Sequence, residues 1–123
     1  MRLMFCLFVA LESLAPCALA QQRPEQAQIE YLIESVGALH DATFVRNGSE
    51  YDSRQAAEHL RLKLHNAGNR VRTAEDFIVY CATGSSLSGE KYRIRFADGR
   101  IVETAEFLRS RLAGFAALQR HPG

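Results

Sequence analysis

The feature that most constrains the fold of this chain is a β-hairpin signal close to its carboxyl end. Asp98-Gly99 is a dipeptide typical of two-residue hairpin turns, and apolar residues alternate with arginines in Tyr92–Phe96 before it. This alternation gives the strand one buried and one solvated face, and it predicts Ile101 directly across from Phe96. Such a hairpin needs other elements to cover the buried face of its sheet.

Four segments carry the apolar spacing of helices that can provide that cover. The first helix is predicted to begin at Pro24, a typical first-turn residue. Capping boxes predict that the second and third helices begin at Asp52 and Thr73, and Thr104 is expected to cap the fourth. Gly68 is expected to end the second helix. The side chains expected to be buried are Ile29, Leu32, Ile33 and Val36 in the first helix, Ala56, Ala57, Leu60, Leu64 and Ala67 in the second, Ala74, Phe77, Ile78 and Cys81 in the third, and Phe107, Leu108, Leu112, Phe115 and Leu118 in the fourth.

A further short strand is expected between the first two helices. Thr43–Arg46 has strand composition, and Asn47-Gly48 predicts a tight turn that returns the chain toward Tyr51. The element order is therefore helix, strand, helix, helix, hairpin, helix. With 123 residues, of which 47% are hydrophobic, the chain can build one core but not two. The predicted fold is a single α+β domain of about four helices packed on a small antiparallel sheet.

The first twenty residues have the composition of a signal peptide. Leu3–Leu11 is an apolar run too short to span a bilayer, and Ala18–Ala20 is a small-x-small cleavage sequence. Pro16 is expected to keep the cleavage site extended. Cleavage after Ala20 predicts a periplasmic protein of residues 21–123 with no stable membrane span.

Cleavage would also remove two of the three cysteines in the chain. Cys81 would then have no internal partner for a disulfide bond, so packing alone would hold the core together. Its position on the apolar face of the third helix predicts a buried, protonated thiol. That environment disfavours Cys81 as a nucleophile with His59 as its base.

The charge balance and the histidine spacing exclude other classes of function. The chain has 15 basic and 14 acidic residues and a net charge of +1, which argues against a strongly basic nucleic-acid-binding protein. His59 and His65 are six residues apart and fall on different sides of a helix, and His40-Asp41 has no third ligand nearby. No metal site and no cofactor are expected.

A polar stripe along the second helix is the first candidate for a site. His59, Lys63 and Asn66 have the spacing i, i+4 and i+7, and Arg70 extends the line if the helix continues past Gly68. The stripe lies beside the apolar face of the helix, where a polar groove can form. The alternative is an ordinary solvated helix face.

A loop rich in serine and glycine is the second candidate. Ser85, Ser86, Ser88 and Gly89 can present hydroxyl groups and backbone N–H groups to an anion or to a peptide carboxylate. The alternative is a flexible connection between the third helix and the following strand, which is favoured because no helix begins there to direct its N-terminus at a ligand.

Four blocks with these polar residues follow one another in a fixed order: Phe44–Gly48, Ala57–Lys63, Thr73–Ile78 and Ser85–Tyr92. In order and separation they resemble the YfeK-like family, small exported bacterial proteins that are grouped as a domain of unknown function. The resemblance implies a signal peptide and a periplasmic location. It implies no activity, cofactor or catalytic residue that can be transferred. Some relatives carry a cysteine just after the Asn-Gly turn, where this chain has Ser49–Ser53.

The leading functional hypothesis is a non-catalytic binding or structural module that recognises a peptide, a protein or a small anionic ligand. The expected groove has one wall of Arg46, Asn47, His59 and Lys63, and a facing wall of Ser85, Ser86, Ser88, Gly89 and Tyr92. One alternative is a serine-dependent envelope hydrolase that uses a loop serine with His59 as its base. Another is a structural network in which Arg46 and His59 tie the second helix to the sheet.

Overall fold

In the part of the chain that the structure describes, four helices and a four-stranded antiparallel sheet form an α+β fold. The computed structural model describes the backbone of residues 15–120 and the side chains of residues 24–120. In chain order the elements are α1 (Ala15–Gly37), β1 (Thr43–Arg46), β2 (Ser49–Tyr51), α2 (Ser53–Ala67), a 3-10 turn (Gly68–Arg70), α3 (Ala74–Phe77) continued by a π-helix (Ile78–Ala82), β3 (Arg93–Arg95), β4 (Ile101–Glu103) and α4 (Thr104–Arg120). The predicted fold class is confirmed.

The sheet has the strand order β2-β1-β3-β4, with every neighbouring pair antiparallel. The Asn47-Gly48 turn between β1 and β2 has φ values of 51° and 75°, as a two-residue turn with left-handed residues requires. Phe44 pairs with Tyr51 on one side and with Ile94 on the other. Because side chains alternate across a strand, Arg46 lies on the same face as Phe44, and this is the face that the helices cover.

The hairpin between β3 and β4 differs from the prediction by one residue. Ile101 pairs with Arg95, not with Phe96, and its side chain is 58% exposed. The Phe96 N–H donates to the Arg100 carbonyl, so three residues form the loop, and Gly99 alone has positive φ, at 90°. A three-residue loop with a left-handed glycine at its end shifts the register by one and turns Ile101 outward.

The predicted capping boxes of α2 and α3 are confirmed. The Asp52 carboxylate accepts the Gln55 N–H at 2.8 Å, and the Gln55 side chain accepts the Asp52 N–H at 3.0 Å. Thr73 and Asp76 make the same exchange at the beginning of α3. Each box satisfies backbone donors that have no partner within the helix. The beginning of α2 is therefore fixed, and with it the direction in which its polar stripe faces.

The beginning of α1 was predicted too late in the chain. The helix already includes Ala15 and has Pro24 in its interior, where it removes one backbone donor without ending the helix. The cleavage sequence Ala18–Ala20, expected to be extended, is helical in the full chain.

Residues 1–14, which hold the apolar run of the predicted signal peptide, lie outside the described residues. No helix of the described part of the chain has the length and hydrophobicity needed to cross a membrane.

The core lies between the inner face of the sheet and the helices. Its fully buried side chains include Leu32, Ile33, Phe77, Ile78, Ile94 and Leu108. Cys81 is also fully buried, as predicted, and this burial raises the pKa of its thiol. Leu118, predicted to be buried, is 66% exposed because the last turns of α4 extend beyond the core.

Thr104 begins α4 as predicted but does not cap it with its hydroxyl. The side chain is buried, and its Oγ1 has no hydrogen-bond partner among the described residues. Its backbone N–H instead donates to the Tyr92 carbonyl at 2.9 Å, which joins the beginning of α4 to β3. A buried hydroxyl without a partner destabilises the folded state.

Thr104→Val is therefore expected to stabilise the protein. Valine keeps the shape of the side chain and removes the unpaired hydroxyl, so the free energy of unfolding should rise by about 1 kcal/mol. Thr73→Val is the matched control, because the Thr73 hydroxyl does accept a helix N–H, and this variant should lose about 1 kcal/mol. Urea denaturation measures both values. A destabilised Thr104→Val protein would contradict the structure.

Candidate functional site

An arginine–histidine contact joins the sheet to α2 at the candidate site. Arg46 ends β1, and its guanidinium Nη1 lies 2.8 Å from Nδ1 of His59 and also contacts Nε2 of the same ring. Arginine has only donors, so the imidazole must accept this hydrogen bond through an unprotonated nitrogen. The neutral form of His59 is therefore the one that the contact requires.

The surroundings of His59 favour that neutral form. Partial burial lowers the pKa of His59 below its ordinary value of 6.5, and the positive charges of Arg46 and then Lys63 lower it further. The ring also packs edge-on to Tyr92, with 6.3 Å between the ring centroids. The half-buried His59 ring is thus a hydrogen-bond acceptor for Arg46, and a second basic side chain, Lys63, lies nearby.

Lys63 lies one turn further along α2 and contacts the segment that leads into β3. Its Nζ donates to the Tyr92 hydroxyl at 2.9 Å and to the Gly84 carbonyl at 3.3 Å, and it lies 4.9 Å from the centre of the Tyr92 ring. These partners are neutral, and no carboxylate in the described part of the chain forms an ion pair with Lys63. The contacts hold the ammonium group at a defined position between α2 and β3.

The serine loop folds on itself around Ser85. The Ser85 Oγ accepts the N–H groups of Leu87 and Ser88 and the side-chain amide of Asn47, at 3.1 to 3.3 Å. The Gly89 N–H, which was expected to face a ligand, donates to the Ser85 carbonyl at 2.9 Å. The loop is therefore an ordered wall whose backbone donors are largely used within it.

Asn47 connects this loop to the turn between β1 and β2. Its Nδ2 donates to Ser85 Oγ at 3.1 Å, and its Oδ1 accepts the Ser88 hydroxyl at 2.5 Å. Two segments separated by about forty residues are joined in this way. The side-chain amide uses both its donor and its acceptor in the connection, so Asn47 has a positioning role.

These contacts enclose an open cavity of about 320 Å³, which we call the basic depression. Of the candidate residues, those that line it are Arg46, Asn47, His59, Lys63, Ser85, Ser86 and Tyr92. Ser88 and Gly89 do not line it and belong to the loop behind its wall. Asn66 and Arg70 from the predicted stripe line it as well. The structure thus brings the distant polar segments together around one cavity.

The charge of the basic depression has one sign. Arg46, Lys63 and Arg70 line it, and no aspartate or glutamate of the described residues does. None of these three cations takes part in an ion pair with a carboxylate in the described part of the chain. An anion entering the cavity would meet cations that no internal carboxylate neutralises.

Three residues that line the basic depression were not among the predicted site residues: Ala67, Tyr80 and Leu87. Tyr80 and Leu87 line the edge of the basic depression, and their side chains are 53% and 97% exposed. Leu87 is the single large apolar residue in a loop of serine and glycine, and this contrast could have indicated a role for it in the site. Tyr80 had no such signal because the π-helix sets its direction, and an ordinary helical periodicity does not predict one.

A second, largely apolar cavity of about 310 Å³ lies next to the first, and we call it the apolar pocket. Its wall is formed by side chains of α2 and of the inner sheet face, among them Phe44, Tyr51, Ala56, Leu60 and Leu62. Arg46, His59 and Tyr92 line both cavities. The arginine–histidine contact is therefore a shared wall between them.

In the described residues, the hydrogen bond between a serine hydroxyl and a histidine that a serine hydrolase needs is not formed. His59 has Arg46 as its hydrogen-bond partner, and no loop serine donates to it among the described residues. Ser85 instead accepts three donors, which fixes its oxygen within the loop. No group of three or more histidine, cysteine or acidic side chains in the described ranges is placed to hold a metal ion.

A scan against protein families matches residues 23–116 to a family of unknown function, DUF5329. The chain belongs to this family. It is also 39% identical over 92 residues to an uncharacterized protein YfeK of Salmonella typhimurium, a match that covers 75% of this chain and 77% of that protein. The resemblance to YfeK-like proteins is confirmed. The residues that match the family, 23–116, include every residue that lines the two cavities. No solved structure matches the chain.

The pH dependence of stability should follow His59. The folded state holds this imidazole at a lowered pKa, so the unfolded state binds more protons near and below pH 6.5. Stability is therefore expected to be highest above that pH and to fall as the pH drops. Thermal unfolding between about pH 7.5 and 5.5 should show this decline in the wild type and a weaker one in His59→Gln.

His65→Gln provides the matched control, because His65 is exposed on the same helix. This variant should keep the wild-type profile. Identical slopes in the wild type and in His59→Gln would contradict the assigned role of His59.

Proposed function

We propose that this chain is a non-catalytic binding module of the periplasm whose basic depression takes an anionic group of its ligand. The observation that carries the proposal is the charge of the cavity: three cations line it, and within residues 24–120 no carboxylate does. The described salt bridges all lie elsewhere, between exposed side chains. Recognition of a peptide, protein or small anion through a carboxylate suits donors of this kind.

The position of the cations supports direct recognition of an anion. Arg46 and Lys63 are each held by neutral partners, namely His59 for the arginine and Tyr92 with the Gly84 carbonyl for the lysine. Their side chains are thus ordered before a ligand arrives, which lowers the entropy cost of binding. A partly buried charge pair is also less screened by salt than an exposed one.

A structural role for the same network is compatible with this proposal. The Arg46–His59 contact ties β1 to α2, and Asn47 ties the β1–β2 turn to the serine loop. These bonds stabilise the walls of the cavity. A purely structural network, however, gives no reason to collect three cations around a cavity without an acidic partner.

The periplasmic location rests on the composition of residues 1–20, with their apolar run and the sequence Ala18–Ala20. Recovery of the protein from the periplasmic fraction with Gln21 as its first residue is the expected result. Recovery from the cytoplasm with an intact N-terminus would contradict this part of the proposal.

Lys63→Met should weaken the binding of a simple carboxylate. N-acetylglycine is the probe, followed by chemical-shift changes in two-dimensional amide NMR spectra of the protein. Loss of one charge-assisted hydrogen bond is expected to reduce affinity by about tenfold. The amide of the same compound, which has no charge, should not bind.

Lys91→Met is the matched control, because the only other lysine of the chain is exposed and does not line the cavity. It should bind N-acetylglycine like the wild type. Equal loss in both lysine variants, or no saturable shifts at the residues of the basic depression in the wild type, would overturn the proposal.

A further inference from the structure

The apolar pocket has features that the binding of an anion alone does not use. Its volume of about 310 Å³ is at the lower end of the range for small-molecule sites, so it fits a compact group such as one branched or aromatic side chain. Leu62, on its wall, is 56% exposed, although the surrounding surface of α2 is mainly polar. An apolar occupant would remove this surface from water.

The charged side chains that line the two cavities indicate which cavity would hold the anionic group of a ligand. The apolar pocket is lined by both signs of charge, with Glu58 beside Arg46 and Arg93. The lining of the basic depression has three basic side chains and, among the described residues, no carboxylate. Of the two cavities, the basic depression is therefore the more favourable for an anion, and the largely apolar pocket is suited to an uncharged group. The guanidinium of Arg46 lies on that wall and borders both cavities.

A buried polar atom in the apolar pocket also points to a ligand. Thr104 lines this pocket with only 4% of its surface exposed, and its hydroxyl has no partner in the described part of the chain. Buried hydroxyl groups are nearly always hydrogen-bonded in folded proteins. A small widening of the pocket around a ligand would expose this hydroxyl, and a polar atom next to the apolar group of that ligand would supply the missing partner.

We infer that the two cavities form one bipartite site for a carboxylate that carries a compact apolar group within a few bonds. The carboxylate binds the cations of the basic depression, and the apolar group fills the pocket on the other side of the Arg46–His59 wall. This inference rests on the proposed function and narrows its ligand class. The chemistry occurs at the free C-terminus of a peptide with an apolar last residue and in a short branched carboxylic acid.

The test compares two probes that share a carboxylate and differ in one apolar group. N-acetyl-leucine should bind about tenfold more tightly than N-acetylglycine, because its isobutyl group is buried in the apolar pocket. Ala56→Leu fills that pocket from α2 and should abolish the advantage of N-acetyl-leucine while leaving the affinity for N-acetylglycine unchanged. Equal affinities of the two probes for the wild type would overturn the inference and leave the proposed function intact.

A second pair of variants keeps the test valid if Ala56→Leu does not fold. Leu62→Ala removes an exposed side chain of the pocket wall, and Leu118→Ala removes a similarly exposed leucine on α4 as its control. Only Leu62→Ala should weaken N-acetyl-leucine, by a few-fold, without changing N-acetylglycine. An equal effect of both leucine variants would overturn the inference, whereas failure of both probes to bind the wild type would overturn the proposed function itself.

Two further ligands distinguish a peptide C-terminus from a short branched carboxylic acid as the ligand of this site. The peptide N-acetyl-Gly-Gly-Leu and the free acid 4-methylpentanoate carry the same apolar group near a carboxylate. Tighter binding of the peptide supports the bipartite site with a polypeptide C-terminus as its ligand. Tighter binding of the free acid supports the same site with a short branched acid.

Discussion

The contact between Arg46 and His59 is the interaction on which the arrangement of the site depends. It crosses from the end of the central strand β1 to the middle of α2, and it lies at the boundary of both cavities. Arginine can only donate, so the contact requires a neutral imidazole. Burial and the nearby cations supply that condition by lowering the pKa of His59. The wall between the two cavities therefore has the positive charge of Arg46 beside a neutral His59 ring.

The rest of the polar network keeps the cations of this wall available. Tyr92 and the Gly84 carbonyl orient Lys63 without neutralising it, and the serine loop satisfies most of its own backbone donors. An anionic ligand would therefore be recognised mainly by charged side chains, while the loop and Asn47 hold the cavity in shape. Among the described residues, His59 bonds to Arg46, the Ser85 oxygen is used within the loop and Cys81 is buried in the core, so none of them forms a nucleophile–base pair.

Much of the fold follows from local signals in the sequence. The Asn47-Gly48 turn and the capping boxes at Asp52 and Thr73 each depend on a few adjacent residues, and the structure forms all of them. The polar stripe of α2 could likewise be predicted, because helical spacing determines which side chains share one face of a helix. The hairpin register was missed because Asp98-Gly99 fits both a two-residue and a three-residue loop, and only the φ values decide between them.

The apolar pocket could not be predicted because it depends on how α2 packs against the sheet, which no local pattern specifies. The central claim, that His59 is a neutral acceptor for Arg46, can be tested directly by nitrogen-15 NMR of its imidazole ring. At pH 6.5, where an ordinary histidine is half protonated, the account predicts a ring with one unprotonated nitrogen that changes its chemical shift in Arg46→Met. A doubly protonated ring at that pH, or a spectrum unchanged by the substitution, would contradict it.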